Sequence, residues 1–239
     1  MINIYKSFSQ RWQNVVRRFA LSVWRHQDDE SEEKRYFKQA LNFSRDYRYD
    51  LEKKLADKGI HVYRGTLDGK VNDWLTRQKA MADTIRVMAT DRKDEIIAKE
   101  IEKLQKNKDA NVQEEIDRLY EMKQNQHVYK AFSFEDHFEG ASDRIGDDEA
   151  FGLGRDLNEE AIRQSTDRYF WRKQNDNRVR KTHEMLADKC FLFIDPPTTI
   201  DKYGNKHTGN VGTDFGCRCF ADPAPAREKP KRNYVVKEK

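Results

Sequence analysis

A length of 239 residues predicts one or two domains. The chain is 37% charged and has a mean hydropathy of −1.06, yet its 13 Phe, 10 Tyr and 4 Trp are too many aromatic residues for a disordered chain. The sequence has no apolar run long enough for a transmembrane helix and no apolar signal-peptide core near its start. We therefore expect a modest core with long solvated helices, in a protein made and matured in the cytosol.

The net charge of +4 is concentrated at the C-terminal end of the chain. Residues 224–239 contain six Lys or Arg and two Glu, so the remaining residues are neutral overall. Such a basic tail contacts phosphate or an acidic protein groove, or it simply extends into solvent.

The first two segments have the apolar periodicity of helices. In residues 1–30, apolar residues from Phe8 to Trp24 recur at steps of three and four. This pattern predicts an amphipathic helix that docks on its own domain or on a partner, or that lies on a membrane surface. Residues 32–57 predict a second helix, capped by Gly59, and residues 60–64 predict a short strand.

A long stretch without Pro or Gly, residues 71–130, forms the next segment. Its apolar positions have helical spacing. Residues 107–111 (Asn-Lys-Asp-Ala-Asn) have weak helical character, which predicts the turn of a helical hairpin. One uninterrupted helix or coiled coil is the alternative. Either structure makes this segment a protruding arm.

Residues 136–156 contain four glycines, at positions 140, 146, 152 and 154. Their spacing does not match a phosphate-binding loop, because no Gly-Lys-Ser/Thr follows. We interpret this segment as a linker on the surface. From residue 158 the pattern is again helical through Phe170. If this helix continues to His183, Arg180 and His183 lie on one face.

The most chemically informative residues follow in the C-terminal part. Residues 190–194 predict a buried strand, and residues 203–205 predict a turn between two edge segments. If residues 217–219 are extended, Cys217 and Cys219 lie on one face with Arg218 opposite.

Four interpretations of the cysteines and histidines remain open. Cys217, Cys219 and His183 could hold a structural zinc ion with His207 or Cys190 as the fourth ligand. Cys190 could form a disulfide with Cys217 or Cys219, although the cytosol disfavours it. A Cys–His nucleophile is a third alternative. In the fourth, the cysteines are small buried packing groups and His183 is a hydrogen-bonded helix residue.

A nuclease is the enzymatic alternative. His183, His207, Arg178, Arg180 and Arg218 could surround a scissile phosphate, with a histidine as general acid or base. A solvated basic helix face has the same composition, and no spacing is specific to the nuclease chemistry.

Together these motifs resemble the Mu F-like minor head (head morphogenesis) proteins of tailed bacteriophages. The shared pattern is an aromatic–Trp pair, Asp-x-Arg-Val-Arg-x-x-His-x-x-Leu, an apolar strand with prolines, and Cys-Arg-Cys. The matching positions are Trp171, Asp176, Arg178, Val179, Arg180, His183, Leu186, Cys217, Arg218 and Cys219. The family usually has Pro-Gly before Cys-Arg-Cys, whereas residues 211–216 here read Val-Gly-Thr-Asp-Phe-Gly.

The resemblance implies a structural protein without enzymatic activity, located inside the capsid near the portal and in the host cytoplasm during assembly. It would act in head morphogenesis, DNA packaging or delivery. Its implied partners are the portal protein, the major capsid protein and packaged double-stranded DNA, with several copies around the portal and no membrane. We expect no cofactor apart from the zinc of the first interpretation. The alternative function is a small metal-independent nuclease that uses His183.

We therefore predict a mostly α-helical protein. Its parts are a helical region with a long arm (1–135), a Gly/Asp-rich linker (136–156), a small α+β module (157–223) and a disordered basic tail (224–239). Phe170 and Trp171 should pack beside Phe191 and Phe193, and Arg178 or Arg180 should pair with Asp195 or Asp214. The residues expected to contact DNA or a partner are Arg178, Arg180, Lys181, Arg227, Lys229, Lys231 and Arg232. Those expected to have structural roles are Trp171, Asp176, His183, Leu186, Cys217, Arg218 and Cys219.

Overall fold

The computed structural model describes residues 2–26, 30–63, 65–106, 112–174, 179–213, 217 and 219–238, with residues 2–6 described by backbone alone. The helices are α1 Ile2–Trp24, α2 Glu30–Asp57, α3 Asp68–Gln105, α4 Val112–Gln124, α5 Phe134–His137, α6 Glu139–Ser165 and α7 Lys181–Leu186, with a 3-10 turn at Val128–Lys130. The strands are β1 Arg168–Lys173, β2 Cys190–Leu192, β3 Thr198–Ile200, β4 Lys206–Thr208, β5 Cys219–Pro223 and β6 Val235–Lys237. The prediction of a mostly α-helical chain with a small α+β C-terminal region is confirmed.

Two compact units divide the chain differently from the predicted boundaries. The N-terminal unit contains Met1–Phe43 and Trp74–Ala150, and the C-terminal unit contains Ser44–Asp73 and Phe151–Lys239. Helices α2, α3 and α6 each contribute residues to both units. Domain boundaries are predicted from the composition of loops and linkers, so a boundary between units that falls within a helix is not visible in the sequence.

An aromatic cluster forms the core of the N-terminal unit. The indole of Trp12 is fully buried, and its centroid lies 5.5, 5.0 and 5.1 Å from the rings of Tyr36, Phe43 and Trp74. Trp12, Val16, Phe19 and Val23 follow one another at helical steps, so α1 buries a single face in its own unit. This confirms the first alternative for the N-terminal helix.

The predicted linker at residues 136–156 is instead mostly helical, within α5 and α6. Along α6, Asp143 accepts two hydrogen bonds from Arg17 at 2.9 and 2.6 Å, and Asp147 accepts one from Ser9 at 2.6 Å. Between these contacts, a Cβ on Gly146 would lie 2.6 Å from the backbone of Gln13. The glycine allows α1 and α6 to approach closely, which offsets its poor helix propensity.

The arm is a helical hairpin rather than one continuous helix. Ile97 and Ile101 of α3 belong to the same buried cluster as Ile116 and Leu119 of α4, whereas Ile97 and Ile116 would be about 28 Å apart on one straight helix. The predicted turn at residues 107–111 lies outside the described residues.

Two three-stranded sheets form the strand-containing part of the C-terminal unit. The first has the antiparallel order β2-β1-β5, and the second has the order β4-β3-β6, in which β6 runs parallel to β3. The helix predicted to continue through Phe170 is therefore wrong, because residues 168–173 form the central strand β1. Tyr169 and Trp171 alternate into the core, and the half-buried Phe170 ring lies 4.9 Å from the Arg172 guanidinium.

Local turn predictions have mixed outcomes. Gly59 has a φ of 76° and caps α2, and the Ile60 N–H donates to Leu55 O at 2.9 Å. Residues 60–63 form no strand, and Arg64 lies outside the described residues. The predicted turn between β3 and β4 is confirmed, because the Asp201 carboxylate accepts hydrogen bonds from the backbone N–H groups of Tyr203 and Asn205.

The expectation of a disordered basic tail is wrong. Residues 224–239 contain β6, and Val236 on this strand is 4% exposed. Tyr234 packs against Phe191 with a centroid distance of 5.7 Å. The high charge of this segment led to the expectation of disorder, but Val236 and Tyr234 supply apolar side chains that pack in the core.

None of the described helices is long and apolar enough to cross a membrane.

A buried lysine sets a pH dependence for the N-terminal unit. Lys93 is 5% exposed, and its Nζ lies 2.9 Å from Nε2 of His26 and 5.4 Å from the centroid of the Trp24 ring. Burial lowers the pKa of Lys93 from 10.5 to about 8. Between these two values the unfolded chain holds a proton that the folded chain has released, so the free energy of unfolding rises with pH across this window.

We expect Lys93→Met to stabilise the protein by about 2 kcal/mol at neutral pH, because it removes the cost of burying the charge. The variant should also lack the rise in stability between about pH 8 and about pH 10. Urea denaturation across this range measures both effects. Lys99→Met is the control, since the Lys99 side chain is 62% exposed and its ion pair with Glu95 at 2.6 Å contributes little. Equal pH slopes in Lys93→Met and wild type would contradict the expectation.

Candidate functional site

The candidate site lies between helix α7 and the first sheet of the C-terminal unit. The short helix α7 carries His183, and it is tied to β1 because Asp188 N–H donates to Trp171 O at 2.8 Å and Trp171 N–H donates to Lys189 O at 2.9 Å. These bonds hold the buried face of α7, with Thr182, His183 and Leu186, against the sheet.

Strand β5 brings the cysteines to the same place. In the pairing of β1 with β5, Trp171 lies opposite Ala221 and Lys173 lies opposite Cys219. Lys173 is two residues after Trp171 on β1. Side chains alternate along a strand, so Cys219 lies on the face of Trp171. Cys217, two residues earlier, also points into the core and is 3% exposed. The predicted placement of both thiols on one face is confirmed, while Arg218 lies outside the described residues.

The three side chains converge on one small volume. His183 Nδ1 lies 3.4 Å from Cys217 Sγ and 3.8 Å from Cys219 Sγ. The three atoms that could bind a metal all lie within 4.8 Å of one another, and all three residues are buried. Residues 34 and 36 positions apart thus form one cluster, which we call the His–Cys–Cys cluster: His183, Cys217 and Cys219.

The two thiols of the cluster titrate as a pair. The pKa of Cys217 is lowered, chiefly because its thiolate accepts a hydrogen bond from Cys219, with a further contribution from His183. The pKa of Cys219 is raised because it donates this hydrogen bond, because it is buried and because Cys217 is charged. A single negative charge is therefore readily accommodated, and a second one needs a compensating cation.

Trp171 forms one wall of the cluster. Its ring meets the His183 imidazole edge-on, with centroids 5.3 Å apart and planes at 71°. The indole N–H is buried and has no oxygen or nitrogen acceptor among the described residues. Its proximity to the Cys219 sulfur opposes, without reversing, the rise in the pKa of that thiol. Trp171 therefore both orients the imidazole and favours negative charge on the sulfur.

The remaining cysteine and the other candidate histidine lie outside this cluster. Cys190 pairs with Phe170 across β1 and β2, which puts its side chain on the face opposite Trp171. This geometry excludes it as the fourth ligand and as a disulfide partner of Cys219. His207 is half-buried on the edge strand β4, where its Nε2 lies 3.1 Å from Thr213 Oγ1. Neither residue belongs to the group of described residues whose ligand atoms lie within 4.8 Å of one another, so both fourth-ligand predictions are wrong.

Most of the predicted motif residues belong to one buried core. Trp171, Leu186, Cys217 and Cys219 form a cluster with Tyr169, Phe191, Phe193, Val211 and Val236, and Val179 packs against it. Asp176 and Arg178 lie outside the described residues, as does Asp214. Sequence reasoning missed Tyr169, which packs 4.6 Å from Phe193. The available signal was the run of three aromatic residues, 169–171, because aromatic residues are enriched in strands.

The predicted contact residues lie on the surface. Arg180 and Lys181 at the start of α7 are exposed, and so are Arg227, Lys229, Lys231 and Arg232 in the C-terminal segment. Asp195, which was one of the predicted partners of Arg178 or Arg180, accepts a hydrogen bond from the backbone N–H of Asn233 at 3.2 Å. This set of cations is accessible to phosphate groups, whereas the His–Cys–Cys cluster is not.

The burial of His183 bears on the nuclease alternative. The residue is 2% exposed and is surrounded by Trp171 and the two cysteines. A general acid or base must come within hydrogen-bonding distance of its substrate, and a nucleic acid backbone has no access to this imidazole. The geometry therefore does not favour His183 as a catalytic residue.

Comparisons with protein-family models, with curated proteins and with solved structures find no match to this chain.

Proposed function

We propose that this protein is a structural minor head protein of a tailed bacteriophage. It associates with the portal vertex inside the capsid and acts in head morphogenesis, DNA packaging or delivery. Its partners are the portal protein, the major capsid protein and packaged double-stranded DNA, with several copies around the portal.

One observation carries this proposal: the residues of the sequence resemblance converge in space. Trp171, His183, Leu186, Cys217 and Cys219 are spread along the chain, yet they pack together in one buried core. Residues that share a motif for structural reasons are expected to behave in this way, whereas catalytic residues need access to a substrate. The convergence therefore supports a shared structural module.

The exposed cations of the C-terminal unit support contact with DNA. Arg227, Lys229, Lys231 and Arg232 lie within six residues on the surface. Each Lys or Arg that neutralises a phosphate releases condensed counterions, so binding weakens as salt rises. This mode of contact does not depend on DNA sequence, as expected for a protein that meets packaged DNA.

We expect replacement of these four residues by Gln to weaken DNA binding and to reduce the slope of log K against log salt by up to about 4. Fluorescence anisotropy with a duplex at several salt concentrations measures the slope. The matched control replaces Lys99, Lys103, Lys106 and Arg118 on the arm, which are 62–73% exposed and paired with glutamates. Equal slopes for the two quadruple variants would contradict a DNA-binding role for the C-terminal segment.

Co-expression with the portal protein of the same genome tests the proposed function. Native mass spectrometry should detect a complex with a defined number of copies of this chain per portal ring. A portal protein from an unrelated phage is the control and should not form the complex. Failure to form any complex, even with the major capsid protein present, would contradict the proposal.

Incubation of the purified protein with RNA and DNA separates this proposal from the nuclease alternative. The minor head proposal predicts no turnover above that of a mock preparation. Cleavage that copurifies with the chain and disappears in His183→Ala, but persists in Cys190→Ala, would favour the enzyme.

A further inference from the structure

We infer that the His–Cys–Cys cluster binds one zinc ion through His183 Nδ1, Cys217 Sγ and Cys219 Sγ. The bound ion would stabilise the fold whether or not the protein has the proposed role in the phage head.

The spacing of the donor atoms matches tetrahedral zinc. Zinc binds thiolate sulfur at about 2.3 Å and imidazole nitrogen at about 2.0–2.1 Å, which places a sulfur and a nitrogen ligand about 3.5 Å apart. The two sulfur–nitrogen distances here are 3.4 and 3.8 Å. The side chains are thus already positioned for coordination, and the ion would need little rearrangement of the core.

The type of donor also selects the metal. Two thiolates and one imidazole are ligands typical of zinc, whereas calcium and magnesium prefer oxygen. Among the described residues, no carboxylate belongs to this group. Three ligands leave one of the four tetrahedral positions for water or another ligand.

A second, independent feature of the site is a buried hydrogen-bond donor that favours negatively charged, metal-bound thiolates. The indole N–H of Trp171 is buried, and it has no oxygen or nitrogen acceptor among the described residues. Zinc-bound thiolates retain negative charge and accept hydrogen bonds, so coordination supplies this donor with a stronger acceptor. The edge-on contact of Trp171 with His183 also holds the imidazole in place.

Coordination would connect two distant parts of the C-terminal unit. His183 is on α7, and the cysteines are 34 and 36 residues further along the chain, Cys217 just before β5 and Cys219 at its first residue. The segment between them contains β2, β3 and β4. A metal that binds the folded state alone stabilises it in proportion to the logarithm of the free metal concentration. We therefore expect zinc to raise the melting temperature of the whole chain.

Metal analysis and spectroscopy on the whole 239-residue chain test for the bound zinc ion. Protein purified with zinc should contain one equivalent, and the metal-free protein titrated with Co²⁺ should develop a sulfur-to-cobalt charge-transfer band that saturates at one equivalent. Zinc at 100 times its Kd should raise the melting temperature by about 5–10 °C.

Variants assign the ligands. Replacement of both Cys217 and Cys219 by Ala should abolish the band and the zinc-dependent shift. The matched control is Cys190→Ala, because Cys190 is equally buried and lies on the opposite face of the sheet; it should retain both. Wild-type protein that shows no charge-transfer band and no zinc-dependent shift would overturn the inference, whatever the variants do. A band of unchanged intensity in the double variant would also overturn it.

Discussion

A chain that ends at Pro223 is expected to lose most of the stability of its C-terminal unit. The removed segment supplies backbone hydrogen bonds to both sheets. Lys231 N–H donates to Cys190 O at 2.8 Å, Thr198 N–H donates to Tyr234 O at 2.8 Å, and Glu238 N–H donates to Ile200 O at 2.9 Å. The Arg168 guanidinium also donates to two carbonyl groups of the segment, each at 2.9 Å.

The expected loss follows from these contacts. The three backbone hydrogen bonds, and the two carbonyl contacts that share one Arg168 nitrogen taken together as a fourth, contribute about 1 kcal/mol each, and the burial of Val236 contributes about 2 kcal/mol. A total of about 6 kcal/mol is comparable to the whole stability of a typical domain. Thermal unfolding of the truncated chain should show a melting temperature lower by about 10–20 °C, or no cooperative transition for this unit.

A pair of substitutions on β6 separates packing from chain length. Val236 is 4% exposed and Val235 is 55% exposed. Val236→Ala should therefore destabilise the chain by about 1–2 kcal/mol, while Val235→Ala should change stability by less than about 0.5 kcal/mol. Equal effects of the two substitutions, or a truncated chain as stable as the full chain, would show that the segment is not part of the fold.

Gly146→Ala is expected to destabilise the N-terminal unit by about 3 kcal/mol. The new methyl group would lie 2.6 Å from Gln13 Cα and 3.1 Å from its backbone nitrogen, so α1 and α6 must separate. The separation strains the neighbouring contacts between Arg17 and Asp143 and between Ser9 and Asp147. The usual gain in helix propensity on replacing Gly by Ala offsets at most about 1 kcal/mol.

Gly152→Ala is the matched control within the same helix. A Cβ at this position has no neighbour within 4 Å, so the substitution should stabilise the protein by up to about 1 kcal/mol. Chemical denaturation of the two variants beside wild type measures both effects. If Gly146→Ala were as stable as Gly152→Ala, the close packing of α1 on α6 would be contradicted.

The sequence identified the elements whose signal is local. The apolar spacing of residues 8–24 was sufficient to predict α1 and its buried face, and the weak point near residue 107 correctly separated α3 from α4. The Asp201 turn follows from side-chain hydrogen bonds within five residues. The alternation in Cys217-Arg218-Cys219 likewise placed both thiols on one face.

The errors arose where distant packing decides the structure. Nothing in the composition of residues 136–156 shows that Gly146 meets the backbone of α1, so the glycines suggested a linker. The pairing of β6 with β3 joins residues about 37 positions apart, which no local pattern reveals. Cys190 lies on the opposite face of the sheet from the other cysteines because of the register of β1 and β2. The sequence does not show this register, so it does not separate Cys190 from Cys217 and Cys219.

The most direct test of the proposed function is quantitative mass spectrometry of purified DNA-filled heads from the phage that encodes this chain. The heads are treated with protease before lysis, so that only internal proteins survive. The minor head proposal predicts that the chain is protected and present in a small, constant number of copies per portal ring. Its absence from these heads, or its complete removal by external protease, would contradict a position inside the capsid.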